Sequence, residues 1–316
     1  MKEVVWIVGR GLLGTCIEST LRNKEPTITL FCPPAFSWND PAVLSSEFLS
    51  AVREFGTLLR THNNQYRIFW TAGRGMMSST EEEMQKETTN LRAFLRTLHA
   101  DDNVRKSTGV FGFSSSAGGV YACSTDDVIS EKSVATPGTA YGKAKMEQEE
   151  ILKGSVHAGH GVLIARLSNL YGPGQSRTKK QGLLTHVARS MLMRKPIHIY
   201  VPFDTMRDYI HVTDAATDFI NTSALVQPGE AVTKIIASEE PTTIAMIIGL
   251  FRRITRLHPL LVTGTNELGS AYPHRMRFSS CILKQARGKD RTSLPEGIAE
   301  TFSHERLAYA ESGMPN

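Results

Sequence analysis

Tyr141 and Lys145 stand four residues apart in the segment TAYGKAKMEQEE, a separation that puts them on one face of a helix. Ser116 lies 25 residues earlier, in FSSSAGGVYA. A hydroxyl, a phenol and an ammonium group that converge on one substrate oxygen can move a proton there. A free tyrosine has a pKa of about 10 and is a poor base at neutral pH. A nearby ammonium group favours the phenolate and lowers that pKa. Tyr141 can then give or take a proton as hydride reaches or leaves the attached carbon, while Ser116 holds the oxygen in line. Alone, a YxxxK pair is also what an ordinary helix surface carries, so the surrounding elements decide.

Those elements begin at the N-terminus. The apolar run Glu3 to Val8 (EVVWIV) predicts a buried parallel strand. Gly9, Arg10, Gly11, Leu12, Leu13 and Gly14 then form a GxGxxG turn, with a helix from Leu13 to Arg22. Strand, glycine turn and helix in this order are the setting of a dinucleotide site, where the backbone approaches a pyrophosphate and the helix N-terminus offers N–H groups to it. The second strand, Thr27 to Phe31, ends in Phe31-Cys32-Pro33-Pro34 without the acid that binds an adenosine ribose in NAD-preferring sites. Arg10 can instead face a ribose 2′-phosphate, which tilts the cofactor towards NADP; its alternative is a plain solvent-exposed side chain.

A further strand is expected at Ala35 to Trp38, with no room for a crossover helix before it. Asn39 and Asp40 follow, as adenine contacts or as turn and N-cap residues before a helix from Ser45 to His62. The strand Tyr66 to Trp70 leads into Thr71-Ala72-Gly73-Arg74-Gly75, a small-residue loop over which a cofactor can lie. A helix over Glu81 to Leu98 and the strand Thr108 to Ser114 bring Ser116 to the C-terminal edge of the sheet, where open α/β folds bind ligands. The helix Tyr141 to Gly154 is followed by a strand, Gly161 to Leu167, and then by SNLYGPG, where the chain changes direction. Arg177, Lys179 and Lys180 read as a solvated loop face, with a lid over phosphates as the alternative. Helix Leu183 to Arg194, strand Ile197 to Val201, the segment RDYIHVTD, strand Glu230 to Ala237, helix Thr243 to Thr255, strand Leu260 to Thr263 and a last helix, Pro295 to Ala310, complete the chain.

The 316 residues, 41% hydrophobic and 21% charged, suffice for one large or two modest domains with a sizeable core. A formal charge of +5 is mild for this length and unclustered, which speaks against a nucleic-acid partner. Cys16, Cys32, Cys123 and Cys281 are scattered, so neither a metal site nor a disulfide framework is indicated and a reducing compartment fits. With no signal-peptide shape and no membrane-length apolar run, a cytoplasmic protein without a membrane partner is expected.

Taken in order, GRGLLG, FSSSAGGVYA, YGKAK, RLSNLYGPGQ and RDYIHVTDAA resemble the extended short-chain dehydrogenase/reductase family that modifies nucleotide sugars, over nearly the whole chain. The resemblance implies an α/β fold: a Rossmann doubly wound parallel sheet with a smaller C-terminal α+β substrate lobe. Its units would be residues 1–170, with 205–225 returning to them, and a lobe of 171–204 and 226–316. It makes Ser116, Tyr141 and Lys145 catalytic, with Lys145 also on the nicotinamide ribose. The cofactor, NAD or NADP, would lie against the glycine turn, Asn39, Asp40, Thr71, Ala72 and Gly73. Asn169, Arg207 and Arg277 would contact the nucleotide sugar, the arginines through its diphosphate. A homodimer through the helices Glu81 to Leu98 and Tyr141 to Gly154 is also implied. The chain departs from the family in its shortened glycine turn, the absent acid, the missing crossover helix and Ala122 in place of a glycine.

Dehydratases of that family carry an Asp-Glu pair after the active-site hydroxyl; here Ala117-Gly118-Gly119 follows Ser116. An epimerase that keeps its NAD, or a 4-ketoreductase using NADPH, is therefore expected. A dinucleotide-binding sensor or scaffold without activity is the reading from another class, and the joint presence of Ser116, Tyr141 and Lys145 argues against it.

Overall fold

The computed structural model describes residues 3–157, 159–176, 182–264 and 274–311. Its centre is a parallel sheet of six strands: β1 (Val4–Val8), β2 (Thr29–Phe31), β3 (Gln65–Trp70), β4 (Thr108–Ser116), β5 (His160–Leu167) and β9 (Ala231–Ile236). Their order is β2-β1-β3-β4-β5-β9, and every neighbouring pair is parallel. The order runs outwards in both directions from β1, as a doubly wound sheet requires.

Both faces of such a sheet must be covered, and β1 shows how the sequence arranges this. Val4, Trp6 and Val8 join a core with Phe48, Phe55, Leu91 and Phe94. These come from α2 (Pro41–Thr61) and α3 (Glu81–Ala100). Val5 and Ile7 join the opposite core with Ile17, Leu21, Ala216 and Phe219, from α1 (Leu12–Lys24) and α8 (Val212–Ser223). A short helix, α4 (Asp102–Arg105), precedes β4. Beyond the end of β4 lie α5 (Ala117–Val120) and α6 (Ala140–Lys153).

The smaller lobe packs α7 (Leu183–Leu192), α9 (Ile244–Thr255) and α10 (Leu294–Glu311) around Val187, Met191, Ile247, Phe251 and Ile298. Two small sheets accompany it. One orders β10 (Pro241–Thr243), β8 (Met206–His211) and β6 (Asn169–Tyr171), the other pairs β11 (Leu261–Thr263) with β7 (Ile197–Ile199).

Two expectations are corrected here. Ala35 to Trp38 is not a strand: residues 32–37 are irregular and a turn follows. Pro33 and Pro34 have no N–H to give a ladder, and a parallel strand cannot follow β2 without a crossover. The aromatic residues of this stretch have another use. Phe36 packs edge-on against Phe48 with ring centroids 4.9 Å apart, and Trp38 against Trp70 at 6.0 Å. Second, Ala231–Ile236 falls within the stretch expected to build the lobe, yet it pairs with β5 as the outer strand of the main sheet. Arg177, Lys179 and Lys180 lie outside the described residues.

Candidate active site

β4 ends at Ser116, whose hydroxyl accepts the Gly119 N–H at 3.1 Å and so caps α5. Thr139 caps α6 in the same way through Gly142 N–H, also 3.1 Å. That fixes where α6 begins, and with it the position of Tyr141 in the first turn. Two glycines allow the close approach of these elements. A Cβ on Gly142 would come within 2.2 Å of the Gly119 carbonyl oxygen, and one on Gly119 within 2.9 Å of the Tyr141 ring.

The expected trio is thereby brought together. Ser116 hydrogen-bonds the Tyr141 phenol. Lys145 is buried, donates from Nζ to the Ser114 carbonyl at 3.3 Å, and places Nζ 4.7 Å from the Phe113 ring centre and 5.9 Å from that of Tyr141. The electrostatics differ from expectation. Burial pushes Tyr141 up to about 12; the Ser116 hydrogen bond works against this and the Glu87 carboxylate adds to it. The net direction is opposite to the lowering expected from Lys145, because desolvation disfavours the phenolate more than the hydrogen bond supports it. At neutral pH Tyr141 is thus a proton donor.

One turn beyond Lys145, Glu149 extends the same helical face into a buried network. It accepts the Ser115 hydroxyl at 2.5 Å and a forked pair of bonds from Arg166 on β5, the shortest 2.6 Å. Arg166 also donates to the Tyr121 hydroxyl at 2.5 Å, and Tyr121 donates to Ser130 O at 3.2 Å. These contacts lock β4, β5, α6 and the loop after α5 into one register. Sequence reasoning missed this network. Its signals were the third i+4 member, Glu149, and a cation inside the apolar run GVLIARL.

The glycine turn sits at the C-terminal end of β1. Gly9 has φ +97°, and a Cβ there would come within 2.3 Å of Ala72 N. A Cβ on Gly14 would come within 2.0 Å of the Gly9 carbonyl oxygen and 2.6 Å of Thr71 Oγ1. Thr71 also donates its N–H to Val8 O at 2.8 Å. Gly9, Gly14, Thr71 and Ala72 are therefore packed against each other. Gly11 differs: a Cβ there would meet no described atom within 4 Å, and no described side chain caps α1. Open space at a helix N-terminus with free N–H groups suits a dinucleotide pyrophosphate.

The other expected contacts divide. Leu13 is buried in the core, so only its backbone can serve a ligand, and Leu12 packs beside that core. Arg10 reaches the end of β2, donating to Cys32 Sγ at 2.7 Å and pairing with Glu18 at 3.3 Å. Asp40 caps α2 through the N–H groups of Ala42 and Val43, each 3.1 Å away, while its neighbour Asn39 is exposed. Gly73, with φ +149°, lies beside Glu87. Asn169 donates to Asp208 O at 2.8 Å, tying β6 to β8. Arg207 donates to Met206 O at 2.8 Å and Arg277 pairs with Asp127 at 3.1 Å. The segment carrying Arg277 runs beside the start of β8, since Met276 N–H donates to Met206 O at 3.1 Å.

The model of the NAD dependent epimerase/dehydratase family matches residues 58–230, more than half of the chain. A dTDP-L-rhamnose 4-epimerase of Burkholderia thailandensis is 30% identical over 171 residues, covering 52% of this chain and 45% of that protein. A dTDP-4-dehydro-6-deoxyglucose reductase of Escherichia coli is 34% identical over 109 residues, 34% of each chain. The matches thus span less than half the length of these two relatives. Among solved structures, UDP-glucose 4-epimerase of Thermotoga maritima with UDP-glucose superposes with a TM-score of 0.77 at 18% identity, covering 98% of this chain and 100% of that one. RMD of Pseudomonas aeruginosa complexed with NADPH gives 0.77 at 18% identity, covering 96% and 99%. At these identities the two structures speak to fold.

Proposed function

The chain belongs to the NAD dependent epimerase/dehydratase family, and from that premise we propose that it is an NAD(P)-dependent nucleotide-sugar epimerase with Tyr141 as the acid/base. The observation that carries this reading is the convergence of Ser116, Tyr141 and Lys145 at the C-terminal edge of β4, on the same sheet edge as the open glycine turn. NAD(P), when bound, supplies the hydride acceptor and donor. Gly11 and the N-terminus of α1 would hold its pyrophosphate. Tyr141 exchanges a proton with the sugar oxygen, Ser116 orients that oxygen, and Lys145 supplies positive charge beside the phenol. Asn169, Arg207 and Arg277 are proposed to bind the nucleotide sugar, the arginines by taking up its diphosphate in exchange for their present carbonyl and carboxylate partners. The related 4-epimerase and reductase both act on dTDP-linked sugars by name, and the T. maritima structure holds UDP-glucose, which supports a nucleotide-sugar substrate.

A specific observation favours a second reading, an NADPH-dependent 4-ketoreductase. The Arg10 guanidinium stands over the end of β2, where a ribose 2′-phosphate would need a cation. Turnover separates the readings. UDP- and dTDP-sugars are incubated with wild-type protein and with Tyr141→Phe, and the products are resolved by chromatography. Epimerisation without added cofactor, lost in Tyr141→Phe, is expected. A 4-keto sugar reduced only with added NADPH would move the assignment to the ketoreductase. Activity intact in Tyr141→Phe would refute both.

We also propose a cytoplasmic homodimer through α3 and α6. Their outer faces carry the Arg92–Glu147 pair and exposed Glu82, Lys86 and Glu150, so such an interface would be held largely by charge and loosened by salt. No helix among the described residues is long and apolar enough to cross a membrane.

A further inference from the structure

The reaction proposed above leaves one carboxylate near its acid/base without a role. Glu87 lies in the second turn of α3, and Oε1 accepts the backbone N–H groups of Arg74 at 2.5 Å and Gly75 at 2.8 Å. The loop after β3 is thereby pinned to α3. Its glycines permit the contact: a Cβ on Gly73 would come within 3.1 Å of Glu87 Oε2. On the other side the loop meets the acid/base itself, since a Cβ on Gly75 would lie 3.1 Å from Tyr141 Cδ2 and 2.5 Å from Met84 Sδ. Glu87, the loop and the Tyr141 ring therefore form one stack.

We propose that Glu87 is a positioning residue of this site: it clamps the Gly73–Gly75 loop against the edge of the Tyr141 ring and sets a fixed negative charge beside the phenol. The inference rests on the reading of Tyr141 as acid/base. Clamping alone does not require a charge, because a glutamine oxygen would accept the same two N–H groups. A carboxylate strengthens them and adds a field that opposes the phenolate. Among the described residues, the charged and polar groups at Tyr141 are Glu87 from α3, Lys145 from its own helix and the Ser116 hydroxyl from the end of β4, while Arg74 on the loop is exposed. Glu87 thus works against the positive charge that Lys145 brings to the ring.

The test needs no substrate. All eight tyrosines are replaced by 3-fluorotyrosine, which titrates lower than tyrosine, and each resonance is followed by fluorine NMR against pH. The Tyr141 signal is the one absent from Tyr141→Phe. In Glu87→Gln its midpoint is expected to fall by about half a pH unit or more, the effect of a unit charge one side chain away at an intermediate dielectric. Glu82→Gln, which removes the same charge from an exposed position on the same helix, is expected to leave it in place. The amide protons of Arg74 and Gly75 should stay protected from exchange in Glu87→Gln and lose protection in Glu87→Ala. An unmoved midpoint in Glu87→Gln, or an equal shift in Glu82→Gln, overturns the proposal. So does a wild-type midpoint for Tyr141 at or below that of exposed Tyr200, a comparison that needs no folded variant. None of these outcomes bears on the epimerase reading, which turnover by Tyr141→Phe decides.

Discussion

Arg166→Leu should be among the most damaging single substitutions outside the reacting groups. The side chains of Arg166 and Glu149 are 7% and 0% exposed, joined by forked bonds, and each has one further hydroxyl partner, Tyr121 and Ser115. Removing Arg166 leaves the Glu149 carboxylate buried with the Ser115 hydroxyl in place of a counter-charge. Breaking such a pair from one side costs about 3–5 kcal/mol. Against a total stability of about 5–15 kcal/mol, that is a large share. At about 2–4 °C per kcal/mol, the midpoint of thermal unfolding falls by about 6–20 °C. Replacing both partners, as Arg166→Leu with Glu149→Leu, should recover much of the loss, because no uncompensated charge remains. Urea unfolding followed by circular dichroism measures wild type, Arg166→Leu, Glu149→Leu and the double variant. If the single variant is as stable as wild type, or the double variant is worse by the sum of the two singles, the reasoning about an uncompensated charge is wrong.

Further outcomes follow from other sites. Gly14→Ala should destabilise strongly, since its Cβ would lie 2.0 Å from the Gly9 carbonyl oxygen, whereas Gly11→Ala should fold with near wild-type stability and lose affinity for NAD and NADP, as dinucleotide titrations would read. Arg10→Ala should weaken NADP more than NAD; equal loss in both would remove Arg10 from the 2′-phosphate reading. Burial, with His157 and His99 beside it, pushes His160 down to about 4, so the unfolded chain binds the proton first. Stability should then decline as pH falls from about 6.5 towards that value, by about 3 kcal/mol in all, and His160→Gln should flatten the decline in pH-dependent unfolding. Tyr141→Phe should lower turnover by about 10²–10⁴ with little change in unfolding midpoint.

The parts legible in the sequence were those fixed by local rules. Tyr141 and Lys145 share a face because four residues make about one turn, and Ser116 stands at the end of β4, the sheet edge where open α/β folds bind ligands. The glycine turn was legible in part for the same reason: Gly9 has a positive φ and Gly14 packs on the Gly9 carbonyl, while their contacts with Thr71 and Ala72 come from a different strand. What was hidden depends on tertiary partners. Arg166 inside an apolar strand announces a buried counter-charge without naming it, and Glu149 is found only when α6 is docked on β5. Glu87 acts through backbone N–H groups of a loop 12 and 13 residues away, which no side-chain pattern reveals. Asp40 was open between adenine and helix cap, and its carboxylate is engaged by two amide groups of α2. Ala35 to Trp38 reads as a strand but is not one: Phe36 and Trp38 use their rings in edge-on contacts with Phe48 and Trp70 without joining a ladder.

A retained dinucleotide that serves Ser116, Tyr141 and Lys145 is detected by denaturing freshly purified protein and identifying any released nucleotide by mass spectrometry. The epimerase account predicts NAD in stoichiometric amount. A protein that releases no dinucleotide, and that afterwards binds neither NAD nor NADP, would contradict it.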